Sequence, residues 1–342
     1  MSLISSAIRA AERSPLPDPL ARMGIQFLVG RTRRKLASVL AKEEEAFARA
    51  MVEHPIAEHA EAANEQHYEL PPDFFALTLG PRRKYSCCLY RTGQETLAEA
   101  ELLALEETLD HADLADGQSI LELGCGWGSL TLFMAERFSR SNITAVSNST
   151  PQRLYIEAQA AARGLENIRV ITADMNAFVP ESAYDRVVSV EMFEHMSNWR
   201  ALLSRVKTWL VPDDGRLFIH VFSHARSPYR FDHGNDADWI ARYFFTGGIM
   251  PSHGLVRQFP DCFAVEKEWR WSGLHYQKTA LDWLARFDAN RSQIDRILNN
   301  VYGDDAALWR QRWRLFYMAT EGLFGHADGQ EWGVSHYLLR PS

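Results

Sequence analysis

Residues Ser119–Leu130 read SILELGCGWGSL. An apolar run, Ile120 to Leu123, carries a single acid, Glu122. It breaks into glycines at alternate positions, Gly124, Gly126 and Gly128, and is followed by apolar residues at helical intervals: Leu130, Leu132, Phe133, Met134 and Phe138. Strand, Gly-rich turn and helix in this order are the opening unit of a nucleotide-binding α/β fold. The glycines allow a tight turn and close approach of the backbone to a ligand. A plain tight turn would need neither the strand before it nor the helix after it.

The departures from the dinucleotide pattern decide which nucleotide is expected. The spacing is G-x-G-x-G rather than G-x-G-x-x-G. The second strand, NITAV, ends in Ser147-Asn148-Ser149, with no acid for a ribose hydroxyl. The pattern resembles the class I methyltransferases that use S-adenosylmethionine. Asn148 and Gln152 are then placed for the ribose or the methionine part. Taken alone, Asn148 reads equally well as a turn residue or cap.

The 342 residues allow one large domain or one and a half. A net charge of −7 gives no electrostatic reason for a nucleic-acid partner. No apolar run approaches the roughly 18 residues of a spanning helix, and MSLISSAIRAAERSPLP has no signal-peptide apolar core. The four cysteines, with Cys87 and Cys88 adjacent, read neither as a disulfide framework nor as a metal site. No metal and a reducing, cytoplasmic setting are expected. A homodimer is compatible with this reading.

Residues 1 to about 75 read as an N-terminal helical lid, with Met23, Phe27, Leu28, Leu36 and Leu40 at helical spacing. The basic run Arg31, Arg33, Arg34, Lys35 is followed by Glu43, Glu44 and Glu45, so a solvated face is preferred to a lipid-surface helix. His67–Tyr90, which contains KYSCC, bridges the lid to a core spanning 76–342. Helix is expected from Gln94 to about Leu109, at Trp199–Trp209, at about Thr279–Asn299 and at Ala306–Phe324. Strands are expected at Ile143–Val146, Ile168–Thr172, Tyr184–Val190, Arg216–Phe222, Phe263–Trp271 and Trp332–Leu339. The alternation implies a parallel sheet with right-handed crossovers. An aromatic insert at about 223–262 interrupts it.

Ligands of open α/β sheets bind at the carboxyl ends of the strands. Here those ends carry the glycines, Asn148, Asp174 and the EMFEH stretch, residues 191–195. If EMFEH forms a helical turn, Glu191, Glu194 and His195 share a face and shift one another's pKa. An aliphatic amine with a pKa of about 10 must lose a proton before it attacks a methyl group, which is work for a general base.

KYSCCLY, LELGCGWGSL, DRVVSVEMFEHM, ARYFFTGGIMPS and WSGLHYQKT together resemble the cyclopropane fatty acid synthase superfamily, and within it the N-methyltransferase branch of the plant alkaloid enzymes. The resemblance implies a seven-stranded sheet closed by an antiparallel last hairpin. It implies cofactor contacts from Tyr85, Ser86, Gly124, Gly126, Asn148, Gln152, Asp174 (to the adenine amino group) and Met175. It implies that Glu191, Glu194 and His195 serve an amine. Cyclopropane synthases carry glycine at position 191 and bind bicarbonate as their base. Cys87, Glu194, His220 and Tyr276 match the residues that hold it. Those synthases also have a cysteine in the last helix, where Thr320 stands here. Trp239, Tyr243, Phe244 and Phe245 are expected to wall an apolar amine and meet its charge by cation–π attraction. The expected activity is N-methylation of a small, aromatic-bearing amine without stable membrane association. The alternatives are a lipid-modifying enzyme and a binding subunit that has lost catalysis.

Overall fold

The computed structural model describes residues 3–37, 41–58, 70–232, 234–235 and 238–342. The elements in chain order are α1 (Leu3–Arg13), α2 (Asp18–Ala37), α3 (Ala41–Ala50), α4 (Pro72–Thr78), α5 (Leu97–His111), β1 (Ser119–Leu123), α6 (Ser129–Arg137), β2 (Asn142–Ser147), α7 (Thr150–Arg163), β3 (Ile168–Thr172), β4 (Arg186–Val190), α8 (Trp199–Trp209) and β5 (Arg216–His224). After these come β6 (Tyr229–Arg230), α9 (Trp239–Tyr243), β7 (Ile249–Met250), β8 (Phe263–Ser272), α10 (Gly273–Ala289), α11 (Arg291–Tyr302), α12 (Ala306–Phe324) and β9 (Trp332–Pro341).

Seven strands form one sheet in the order β3-β2-β1-β4-β5-β9-β8. The first five are parallel, and β9 runs antiparallel to both β5 and β8. The apolar runs of β1, β4 and β5 are buried on both faces, as parallel strands require. The strand order reverses at β1 and β4, and this is where a crevice opens in such sheets. The glycine turn after β1 and EMFEH after β4 therefore end side by side.

Local chemistry sets the helix ends. Thr96 and Glu99 form a capping box, so α5 starts at Leu97 rather than at Gln94. Ser149 caps α7 with Pro151 in its first turn, and Gly164 in the left-handed conformation ends it. The single helix expected over Thr279–Asn299 is two helices. Asn290 leaves helical geometry, and its Nδ2 donates to the carbonyls of Leu77 and Arg286. The last two strands are adjacent and antiparallel, but α10, α11 and α12 separate them in sequence, so they do not form a tight hairpin.

The N-terminal helices lie against this C-terminal helical layer. Arg314 on α12 makes a two-pronged pair with Asp18 at 2.7 and 2.9 Å, Glu12 meets Arg312 at 2.9 Å, and Arg22 pairs with Glu321. Ala21, Val29 and Leu36 form the buried face of α2. Met23 and Phe27, expected on that face, are 64% and 59% exposed. The close approach of Gly322 to Ile25 sets the helix's rotation. Leu40 and residues 59–69 lie outside the described residues. Trp127 packs on Phe75 at 4.9 Å and on Tyr155 at 5.6 Å, pinning the glycine turn to the helical layer.

Gly128 begins α6 at φ +76°, where an added Cβ would stand 2.5 Å from Ile156 Cγ1. Left-handed strain and overpacking together are expected to make Gly128→Ala destabilising by about 2–4 kcal/mol. Denaturant unfolding checks this, with the slope m expected to stay unchanged.

Candidate active site

Two adjoining cavities lie over the carboxyl ends of β1, β2 and β4. The first, of about 770 Å³, is lined by Gly124, Gly126, Asn148, Gln152, Asp174, Met175, Glu191, His195 and Thr246, with Ala57 and Glu58 from the N-terminal segment. The second, of about 580 Å³, is lined by Lys84, Tyr85, Ser86, Trp127 and Ser129, and by Gly124, Gly126 and Glu191 again. Glu191 and the glycine turn thus belong to both. A Cβ on Gly124 would fall 2.7 Å from the Met192 Cβ, so only glycine lets EMFEH sit this close to the turn.

EMFEH is not the helical turn expected of it. Glu191 takes a left-handed backbone, φ +50°, and only Phe193–His195 form a 3-10 turn. The three titratable side chains consequently diverge. Glu191 Oε1 accepts from the Cys87 N–H at 2.9 Å and lies 3.2 Å from His220 Nε2, while Oε2 accepts from the Tyr276 hydroxyl at 2.7 Å. Glu194 is fully buried away from the cavities. Its Oε1 accepts from the Phe222 N–H at 2.6 Å, and its Oε2 has no hydrogen-bond partner among the described residues. His195 lies parallel to Phe245, with centroids 5.1 Å apart.

Burial raises the pKa of both carboxyls. The Lys84 charge, the Cys87 N–H and the Tyr276 hydroxyl pull Glu191 back down. Glu194 is pushed well above the usual carboxylate range by burial and then by the Glu191 charge. Two carboxyls with such different donors differ in acidity: Glu191, with more donors and Lys84 nearby, ionises more readily than Glu194. Lys84, itself buried, donates to Ser86 Oγ and to the Cys87 carbonyl, each at 2.6 Å. Glu101 accepts from the N–H groups of Arg82 and Lys84 and holds the KYSCC segment from behind. Lys84 is a residue of the site that the KYSCC pattern does not by itself single out.

Cys87, His220 and Tyr276, matched above to a bicarbonate site, converge on the Glu191 carboxylate itself. Trp239, Tyr243 and Phe244, expected to wall a substrate, line neither cavity. Phe244 is fully buried and stacks on Phe316 at 4.3 Å, the Trp239 Nε1 donates to Glu12, and Tyr243 lies under the Arg312 guanidinium at 3.9 Å. The aromatic ring of the insert next to the site is Phe245, and Thr246 lines the cleft beside it. Asp174 is exposed at the cleft mouth and accepts from Asn176. Gln152 Oε1 accepts from Ser147 Oγ at 2.6 Å. The buried Gln152 Nε2, Trp127 Nε1 and Ser129 Oγ lack partners among the described residues, and all three residues line the cavities. Unsatisfied buried donors of this kind suit a polar ligand spanning both spaces.

A family described as mycolic acid cyclopropane synthetase matches residues 56–328. The chain belongs to that family. It has the class I fold of S-adenosylmethionine-dependent methyltransferases and is an enzyme of that class. The (S)-coclaurine N-methyltransferase of Thalictrum flavum subsp. glaucum is 37% identical over 290 residues, 83% of this chain and 80% of the plant protein. The cyclopropane-fatty-acyl-phospholipid synthase of Escherichia coli (strain K12) is 28% identical over 273 residues, 79% of this chain and 66% of that protein. A solved coclaurine N-methyltransferase bound to N-methylheliamine and SAH superposes with a TM-score of 0.94 at 32% identity, covering 99% of this chain and 100% of that one. Among the described residues, no helix is long and apolar enough to cross a membrane.

Glu122, beneath the turn, is buried, with only Thr131 Oγ1 donating to it among the described residues, at 2.5 Å, and burial pushes its pKa up to about 8. Native protein then binds its proton more tightly than unfolded chain does. This group's destabilising effect therefore grows as pH rises from 4.5 to about 8. Glu122→Gln is expected to flatten the fall of melting temperature over that range; equal slopes for the two proteins would refute it.

Proposed function

We propose that this enzyme transfers the methyl group of S-adenosylmethionine to the nitrogen of a small, aromatic-bearing amine, with Glu191 as the base. The observation that carries this reading is where the Glu191 carboxylate lies. It takes the donors that the resemblance gives to a bicarbonate ion, namely the residues Cys87, His220 and Tyr276. A protein-borne carboxylate there serves a cationic amine, and it leaves those donors no free ion to hold.

The bound cofactor supplies an electrophilic methyl group on a sulfonium. Asn148, Gln152, Asp174 and Met175 are suited to its nucleoside part, and Tyr85 and Ser86 to its methionine end, with Gly124 and Gly126 between. Glu191 attracts the ammonium form of the acceptor and takes its proton, which exposes the lone pair. Glu194, neutral, keeps the loop after β4 tied to the Phe222 N–H. His195 and Phe245 offer the acceptor a flat wall and a ring face for its charge. Positioning the nitrogen in line with the methyl group supplies the rest. The buried cysteines, none in a disulfide, support a reducing, cytoplasmic setting.

A panel of amines tested with methyl-labelled cofactor names the acceptor. Glu191→Gln and His195→Ala are each expected to lower kcat by about 10²–10⁴-fold, while calorimetry shows little change in S-adenosylhomocysteine affinity. Activity of wild type should rise with pH as Glu191 deprotonates. If wild type instead forms cyclopropane rings in unsaturated phospholipid vesicles and depends on bicarbonate, the lipid-modifying alternative replaces this reading.

Ala57 and Glu58 line the cleft, and Ala57 exchanges hydrogen bonds with Asn176. These contacts support the N-terminal helices, residues 1–75, as a lid on the core. Proteolysis within the first 70 residues is expected to slow when S-adenosylhomocysteine and amine are bound together. Equal cutting with and without ligands would rule the lid out.

A further inference from the structure

Behind Glu191, buried imidazoles form a line that the N-methylation reading does not use. His220 Nδ1 lies 2.7 Å from His336 Nε2, and His336 Nδ1 lies 2.8 Å from His111 Nδ1. His111 Nε2 is 3.4 Å from Glu107, whose side chain is 26% exposed and pairs with Arg91. The sheet builds this line. His220 on β5 is in register with His336 on β9, and His336 with Trp269 on β8, whose ring stacks on His111 at 3.8 Å.

We propose that His220, His336 and His111 form a proton relay that carries the amine proton from Glu191 to Glu107 at the surface. This rests on Glu191 being the base. In the step, the proton on Glu191 Oε1 passes to His220 Nε2, and that ring's Nδ1 proton passes to His336 Nε2. The His336 Nδ1 proton passes to His111 Nδ1, and the His111 Nε2 proton passes to Glu107 and on to water. Each ring gains one N–H bond as it loses another, and no ring stays charged. Burial supports the scheme, because it holds His220 and His336 far below, and His111 below, the usual imidazole range. A neutral imidazole offers one donor and one acceptor, as a relay requires. Lys84 bears on His220 and His336 in the same sense; Glu107 and Asp110 oppose it at His111, where Lys267 adds to it. A second passage needs the rings to regain their starting tautomers, so a single turnover isolates the hop.

The test mixes enzyme preloaded with S-adenosylmethionine with an accepted amine in weak buffer containing a pH indicator, and follows methyl transfer by rapid quench. In wild type, proton release should keep pace with methyl transfer. In His111→Phe, which keeps a ring against Trp269, the ratio of the two rates should fall by about 10²-fold. In His111→Ala, added imidazole should restore it. Unchanged ratios in His111→Phe and in the surface variant Glu107→Gln would overturn the relay. If His111→Phe does not bind S-adenosylhomocysteine, Glu107→Gln decides: a lowered ratio supports the relay and a wild-type ratio overturns it. Glu191→Gln separates the two readings. If that variant still methylates amine, the base assignment falls. If it is inactive while both relay variants behave as wild type, only the relay falls.

Discussion

A carboxylate taken out of water keeps its charge only if donors replace the water. Glu191 meets this condition with a backbone N–H, a phenol, an imidazole and a nearby ammonium. Those groups come from the KYSCC loop, α10 and β5, so three separate parts of the chain are held in place by one side chain. Removing it would leave the Cys87 N–H and the Tyr276 hydroxyl unsatisfied in a closed space, at about 1–3 kcal/mol each. The site and the packing of the helical layer on the sheet are therefore a single construction.

The sheet makes that convergence geometrically simple. Parallel strands deliver loops to one edge, and the reversal between β1 and β4 parts those loops enough for a cleft. Gly124 then allows the loop after β4 to lie against the cofactor turn. Glu194 has a supporting place in this scheme: it shapes the loop from below through the Phe222 N–H. The helical layer supplies the other wall, through Trp127 packed on Phe75 and through the Glu101 carboxylate that braces KYSCC.

Much of this was legible in the residues. The glycine spacing, the polar residues at successive strand ends and the cap at Ser149 are short-range patterns, and short-range physics decides them. What was not legible depends on distant partners. Met23 and Phe27 keep helical spacing, yet face solvent because Gly322 admits Ile25 instead. Phe244 and Trp239 belong to an aromatic insert like any substrate wall, but α12 and Glu12 claim them. The break at Asn290 depends on the carbonyl of Leu77, far away in sequence. His336 sits in an apolar strand, where only the register with β5 reveals what it touches. The left-handed backbone at Glu191 has no sequence signal at all, because the residue there is not glycine.

That backbone has a historical side. A side chain at φ +50° carries a steric penalty of about 1–2 kcal/mol that glycine avoids, and glycine is what the cyclopropane synthases resembled here carry at this place. The loop has a shape that suits glycine and holds a glutamate in it. Glycine and glutamate codons differ by a single nucleotide, so the ion-holding and the amine-serving versions of this loop are neighbours in mutational space. Replacing the glutamate by glycine would relieve that strain and leave the Cys87 N–H and the Tyr276 hydroxyl in need of another acceptor.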